Sequence, residues 1–166
     1  MRFCLKKLNE MMSKQNGNLD LSNTRVTSLQ ENFIVRGDLD LSYTNIKKLP
    51  KGLKVEGSLD LSCTRISKLP EDIAIGGSIY LGGTDIYKLP ERLKVKGDLD
   101  LRCTTIKNLP EELEVKGNLD LRYVINISEL PKKLVVYGDL DIYGTNITEI
   151  PESINVGGSI NTISEV

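Results

Sequence analysis

The chain has no histidine and no tryptophan, only two phenylalanines, and three cysteines in 166 residues. Histidine is the commonest general base near neutral pH and the commonest metal ligand. No nucleophile elbow and no phosphate-binding glycine loop stands in for it. An enzyme is therefore not expected, and neither is a metal ion or a cofactor. The odd set Cys4, Cys63 and Cys103 argues against a disulfide framework, so all three are expected to be reduced. Long apolar runs are missing too, and nothing approaches the ~20 residues of a membrane-crossing helix. The opening MRFCLKKLNEMMSKQNG is broken by Lys6, Lys7 and Glu10, so it lacks the apolar centre of a secretory signal. With a net charge of -1 there is no excess charge to attract nucleic acid or an anionic membrane. These absences predict a cytoplasmic protein of one domain, with no membrane contact and no direct nucleic-acid binding.

What is present is repetition. Glycines at 17, 37, 57, 77, 97, 117, 138 and 158 open eight units in the frame G-x-L-D-L-x-x-T-x-I-x-x-L-P-x-x-L-x-V-x. Six units have 20 residues, the sixth has 21, and the eighth stops at Val166. A fixed period of this size marks a solenoid, whose units bury their apolar sides only by stacking. The expected organisation is a single domain over 1–166: a cap over 1–16, seven repeats over 17–157 and a partial eighth over 158–166. Leu53, Val55, Gly57, Leu59 and Leu61 alternate as a strand does, with a glycine where two short strands would meet at a bend. Strands are expected near 18–22, 38–42, 58–62 and so on to 139–143. Every proline, from Pro50 to Pro151, follows the last apolar residue of the return segment, outside the main sheet. Phe3, Leu5, Leu8, Met11 and Met12 can share one face of a capping helix.

The segment LDLSYTNIKKLP, with Leu39, Leu41, Thr44, Ile46, Leu49 and Pro50, resembles the short bacterial leucine-rich repeat. The likeness recurs through seven units and extends to degenerate repeats of bacteria and their phages. It implies a mainly β fold: a right-handed solenoid with parallel strands. Two departures stand out. Threonine replaces the family's asparagine, which simplifies the inner ladder. The family's first leucine is absent, and the L-x-V-x-G pattern there suggests an extra short strand, closer to a two-sheet β-solenoid than to a horseshoe.

If Leu59 and Leu61 face inward, Asp60 faces outward, and so do Asp20, Asp40, Tyr80, Asp100, Asp120 and Asp141. In-register stacking sets neighbours ~4.8 Å apart. Two full charges there repel by roughly 0.9 kcal/mol even in water. Ser22, Ser42 and Ser62 in the first half, and Arg102 and Arg122 in the second, are candidate donors to relieve this. On that account Asp40→Asn is expected to stabilise the fold. A line of single carboxylates does not converge as a metal cage does.

Repeated residues report the scaffold, and the breaks in repetition are the candidate site. Tyr80 interrupts the aspartate column at its centre, with Gly82 and Gly83 beside it. The expected result is a protruding aromatic next to bare backbone, flanked by Asp60 and Asp100, with Arg102 and Arg122 further along and Tyr43 and Tyr123 in the neighbouring column. An extra residue near Val124 and Ile125 reads as a bulge. The expected function is a non-catalytic protein-binding module centred on Tyr80, an inhibitor or adaptor of a partner protein. The alternative is an acidic nucleic-acid mimic that blocks a DNA-binding protein. The exposed edge at GSINTISEV adds an expected homodimer through the C-terminal end.

Overall fold

A computed structural model describes residues 17–162. The proposed capping helix, Cys4 and the tail from Ile163 to Val166 lie outside the described residues. The chain winds as a β-solenoid of about seven turns, each contributing one short strand to each of two faces. In chain order the strands are β1 (Leu19–Asp20), β2 (Ile34–Val35), β3 (Leu39–Asp40), β4 (Lys54–Val55), β5 (Leu59–Asp60), β6 (Ala74–Ile75), β7 (Ile79–Tyr80) and β8 (Lys94–Val95). They continue as β9 (Leu99–Asp100), β10 (Glu114–Val115), β11 (Leu119–Asp120), β12 (Val135–Val136), β13 (Leu140–Asp141), β14 (Asn155–Val156) and β15 (Ile160–Asn161). The odd-numbered strands form one eight-stranded parallel sheet. The even-numbered strands form a second layer, split into β2-β4-β6 and β8-β10-β12-β14. The two strands per coil agree with the sequence reading. Each is two residues rather than five, although the ladder of backbone bonds runs on beyond it, for example from Cys63 N–H to Gly82 C=O.

The repeat explains this shape. Leu59, Leu61, Ile66, Leu69 and Val55 of one coil are all buried, and their counterparts in neighbouring coils lie above and below them. One continuous apolar core results, which no single coil could form. The opening glycine makes the corner between the sheets. A Cβ on Gly57 would stand 2.2 Å from Asp38 Oδ1 of the preceding coil, so no side chain fits. Threonine replaces the expected asparagine ladder with a local bond: the Thr64 hydroxyl donates to Leu61 C=O at 2.7 Å, three residues back. The same bond recurs at Thr24, Thr44, Thr84, Thr104 and Thr145. In the longer sixth unit Val124 takes that place and is buried. The extra residue leaves as a turn at Ile125 and Asn126, and Ile125 is exposed. Asn146 Nδ2 of the next coil donates to Ile125 C=O at 2.6 Å, so the bulge is tied down.

Candidate functional site

The first sheet carries two sets of side-chain brackets on its outer face. The residue after each opening glycine is always Asn, Asp or Ser. Its side-chain oxygen accepts the backbone N–H of the equivalent residue one coil on, as in Asp38 from Ser58 (2.7 Å), Asp98 from Asn118 (2.7 Å) and Asp139 from Ser159 (2.8 Å). The unbroken chain of such bonds runs from Asn18 to Ser159 through Ser58, Ser78 and Asn118. The second set is the aspartate column. Each carboxylate accepts the N–H two residues ahead, as in Asp40 from Ser42 (2.8 Å), Asp60 from Ser62 (2.8 Å) and Asp141 from Tyr143 (3.0 Å). These aspartates thus shape the turn that follows each strand. The serines contribute their backbone N–H to these carboxylates, not the hydroxyl that the sequence pointed to.

Charge relief differs along the column. Arg102 forks onto Asp100 through Nε (3.0 Å) and Nη2 (2.8 Å), and its Nε lies 3.4 Å from Asp120 Oδ2. Arg122 repeats this with Asp120 (Nη2 at 2.6 Å) and Asp141 (3.7 Å). Hydrogen bonds and the carboxylate charges hold both guanidinium pKa values above the usual value. Arg102 and Arg122 therefore already have intramolecular partners. Among the described residues, Asp40 and Asp60 have no cation at ion-pairing distance, so these two carboxylates keep their net charge.

Tyr80 sits in register between Asp60 and Asp100 on β7, as expected, but it does not protrude. It is half-buried, because the ring stands in a packed column rather than at a free edge. Gly82 is buried, and a Cβ there would come 3.2 Å from Asp100 Oδ2. Tyr80 offers no carboxylate to the Gly82 N–H, so this coil alone among those with a first-sheet turn from β1 to β13 lacks the turn bracket.

The next column reverses the reading of Gly83. Asn23, Tyr43, Cys63, Cys103 and Tyr123 all have φ between 55° and 59°, alongside Gly83 (68°) and Gly144 (70°). This is the left-handed region, where glycine is at ease and bulky residues are strained. Gly83 is thus the residue the backbone favours, and the tyrosines and cysteines are the exceptions. Their side chains project outward: Tyr43 is 61% exposed and Tyr123 53%. Cys63 and Cys103 are free and exposed. The Cys63 thiol raises the Tyr43 phenol above its ordinary pKa, chiefly by hydrogen bonding. Tyr123 meets Tyr143 edge to face with ring centres 5.2 Å apart, and the Tyr143 contact likewise raises its pKa. The candidate residues therefore share one face but form two sub-sites, a flush strip of Tyr80, Asp60 and Asp100 and a projecting rim of Tyr43 and Tyr123. The sequence reading missed this rim as a strained column. Its signal was Asn, Gly and Gly recurring at one frame position.

Among the described residues no cluster of histidine, cysteine or carboxylate side chains could hold a metal ion. No helix among them is long and apolar enough to cross a membrane. No protein-family model matches the chain, and no curated protein is similar enough to it to count as a relative.

Proposed function

We propose that the chain is a non-catalytic protein-binding module, of the leucine-rich-repeat kind its sequence resembles, acting in the cytoplasm as an inhibitor or adaptor of a partner protein. The observation that carries the reading is the strain at Tyr43 and Tyr123. A non-glycine residue in the left-handed region costs about 1–2 kcal/mol. Two bulky aromatics bear it while remaining more than half exposed, although Gly83 and Gly144 fill the same place without strain. Burial does not repay the cost, whereas binding can, because exposed tyrosines are frequent anchors of protein interfaces. Tyr80 and the net-negative stretch at Asp40 and Asp60 would form the floor beneath this rim. The acidic-mimic alternative is weakened because its aspartates have scaffold roles and the second half of the column is paired with arginines.

The test is affinity capture followed by titration, comparing the native chain with Tyr43→Gly/Tyr123→Gly and with Tyr80→Asp. A partner whose binding falls by about 2 kcal/mol or more in the double variant fits an anchor pair. Equal affinity for all three proteins rejects the reading. An end-to-end homodimer is a further part of this proposal. It rests on the outer edge of β15, which pairs with no described strand, and on a cleft of about 620 Å³ beside it lined by Ile142, Ile147 and Ile150. A monomer in sedimentation at high micromolar concentration rejects the homodimer.

A further inference from the structure

The second sheet has one interruption. At most coil steps a backbone bond joins its strands, as from Gly76 N–H to Val55 C=O (2.9 Å) and from Lys116 N–H to Val95 C=O (3.0 Å). Between β6 and β8 the corresponding bond from Lys96 N–H to Ile75 C=O is not made, and the sheet divides there. The first sheet stays paired through the same coils, β7 to β9. The coils thus part on one side only.

A cleft of about 530 Å³ lies over the break. Its exposed floor is stripped of long side chains, because Ala74 and Gly76 stand where other coils carry Lys54, Lys94, Glu56 and Lys96. Its rim holds four cations, Lys54, Arg92, Lys94 and Lys96, against one carboxylate, Glu56. None of the four cations forms an ion pair among the described residues, whereas Lys88, Lys116 and Lys133 all do. Lys94 also acts on Glu114, its partner in register on β10, so the rim keeps an excess of positive charge with which an anionic occupant would pair.

We propose that this cleft, on the second sheet and apart from the tyrosine rim beside the first, is a docking site for an extended acidic polypeptide segment. One observation chooses a peptide over a polyphosphate. The interrupted ladder leaves both N–H and C=O groups without ladder partners, and a peptide backbone supplies acceptors and donors to match. A phosphodiester backbone supplies only acceptors. Addition of an extended segment to exposed strand edges is an established mode of peptide recognition, with side-chain contacts giving the selectivity.

The experiment is a fluorescence-anisotropy titration of the intact chain with a labelled oligoglutamate peptide at low salt, with a labelled oligothymidylate of matched charge as the rival probe. The expected result is saturable peptide binding that falls about tenfold or more in Lys94→Glu/Lys96→Glu. A charge-matched control, Lys47→Glu/Lys48→Glu, should fall by less than about threefold, since those exposed lysines lie outside the cleft. Ala74→Trp fills the floor without changing charge and should also weaken binding about tenfold. Ala74 is exposed, so this variant should fold, which circular dichroism checks. Tyr43→Gly/Tyr123→Gly should bind the peptide as the native chain does, which separates this site from the rim. No saturable peptide binding, equal loss in the two lysine pairs, full binding by Ala74→Trp, or tighter binding of the oligothymidylate would each overturn the proposal.

Discussion

The two sheets of one coil are built from the same repeat, yet one is continuous over eight strands and the other divides into three and four. Leu59 and Val55 are equally buried beneath their respective sheets, but the core is looser at the break, where Ile73 is only partly buried and Ile75 is 7% exposed against 1% for Val55 and 2% for Val95. A second difference lies in what is added to the backbone ladder. On the first sheet, most coils carry two side-chain-to-backbone bonds, one across the coils and one within the turn. On the second sheet the outward residues are mixed, from Ile34, Lys54 and Ala74 to Glu114, Val135 and Tyr137, and among the described residues none of their side chains brackets the backbone of a neighbouring coil. Parallel strands of two residues give few backbone bonds of their own, so a sheet without brackets parts where its surface thins at Ala74 and Gly76. A repeat therefore needs polar side chains at fixed places to hold its register, as well as apolar ones to fill its core.

The largest expected effect removes a bracket. Asp100 is 7% exposed and accepts from the Arg102 N–H as well as from its guanidinium. Hydrogen bonds to charged groups contribute about 1.5–3 kcal/mol each. Asp100→Ala should lower stability by about 2–3 kcal/mol in urea unfolding. Lys94→Ala, on the strand beside the break, should change it by less than about 0.5 kcal/mol, as exposed substitutions do. Equal losses would remove the distinction between the sheets. The next effect is dynamic. The amide at Lys96 should exchange with solvent about tenfold or more faster than those at Glu56 and Lys116, which are bonded across the coils. Matching protection would mean that the second sheet is closed in solution.

The sequence made the first of these sheets legible and left the second half-read. The 20-residue period, the corner glycines and the alternation of Leu59 and Leu61 state a stacked coil directly, because each follows from geometry repeated in every unit. The L-x-V-x-G segment gave the extra strand. The break was written in the same register, in the stretch Ile73–Gly77, but the loss of two long side chains does not by itself reveal a lost hydrogen bond. The aspartates misled for a related reason. Charge and spacing were visible, but the carboxylate's acceptor role depends on a turn two residues long. Tyr80 was identified as exceptional because it breaks a column. Tyr43 and Tyr123 were harder to read, since their column has no fixed residue type and its common property is a backbone angle.

That angle supports a smaller prediction. Replacing Tyr43 by glycine relieves left-handed strain of about 1–2 kcal/mol and adds about 0.5–1 kcal/mol of unfolded-chain entropy. The strain term wins, so Tyr43→Gly should stabilise the fold by about 0.5–1 kcal/mol. A loss of stability would show that the Tyr43 contact with Cys63 carries more than the strain, and would remove the argument that these rings are kept for binding.

The smallest effect is expected at Tyr80, where the first sheet itself lacks a bracket. Tyr80→Asp and Tyr80→Asn both restore an acceptor for the Gly82 N–H, a gain of about 1 kcal/mol. Both also give up the half-buried ring, which offsets much of it. The two variants differ in charge alone. Aspartate would stand about 4.8 Å from Asp60, which has no ion pair among the described residues, and would meet roughly 0.9 kcal/mol of repulsion in water. The Asp100 charge on the other side is already matched by Arg102. At low salt Tyr80→Asn should therefore be the more stable variant by about 0.5–1 kcal/mol, and the gap should close as salt screens the pair. The same argument applies to Asp40, whose neighbours Asp20 and Asp60 are both carboxylates in register. Asp40→Asn keeps the oxygen that accepts from Ser42 and sheds the repulsion, so its stability should rise at low salt by a similar amount. Thermal melts of the three variants across a salt series decide the point. If Asn and Asp at position 80 melt together at low salt, the first half of the column is not under charge strain. The aspartates would then be kept for their geometry alone, the role the residue after each opening glycine already fills.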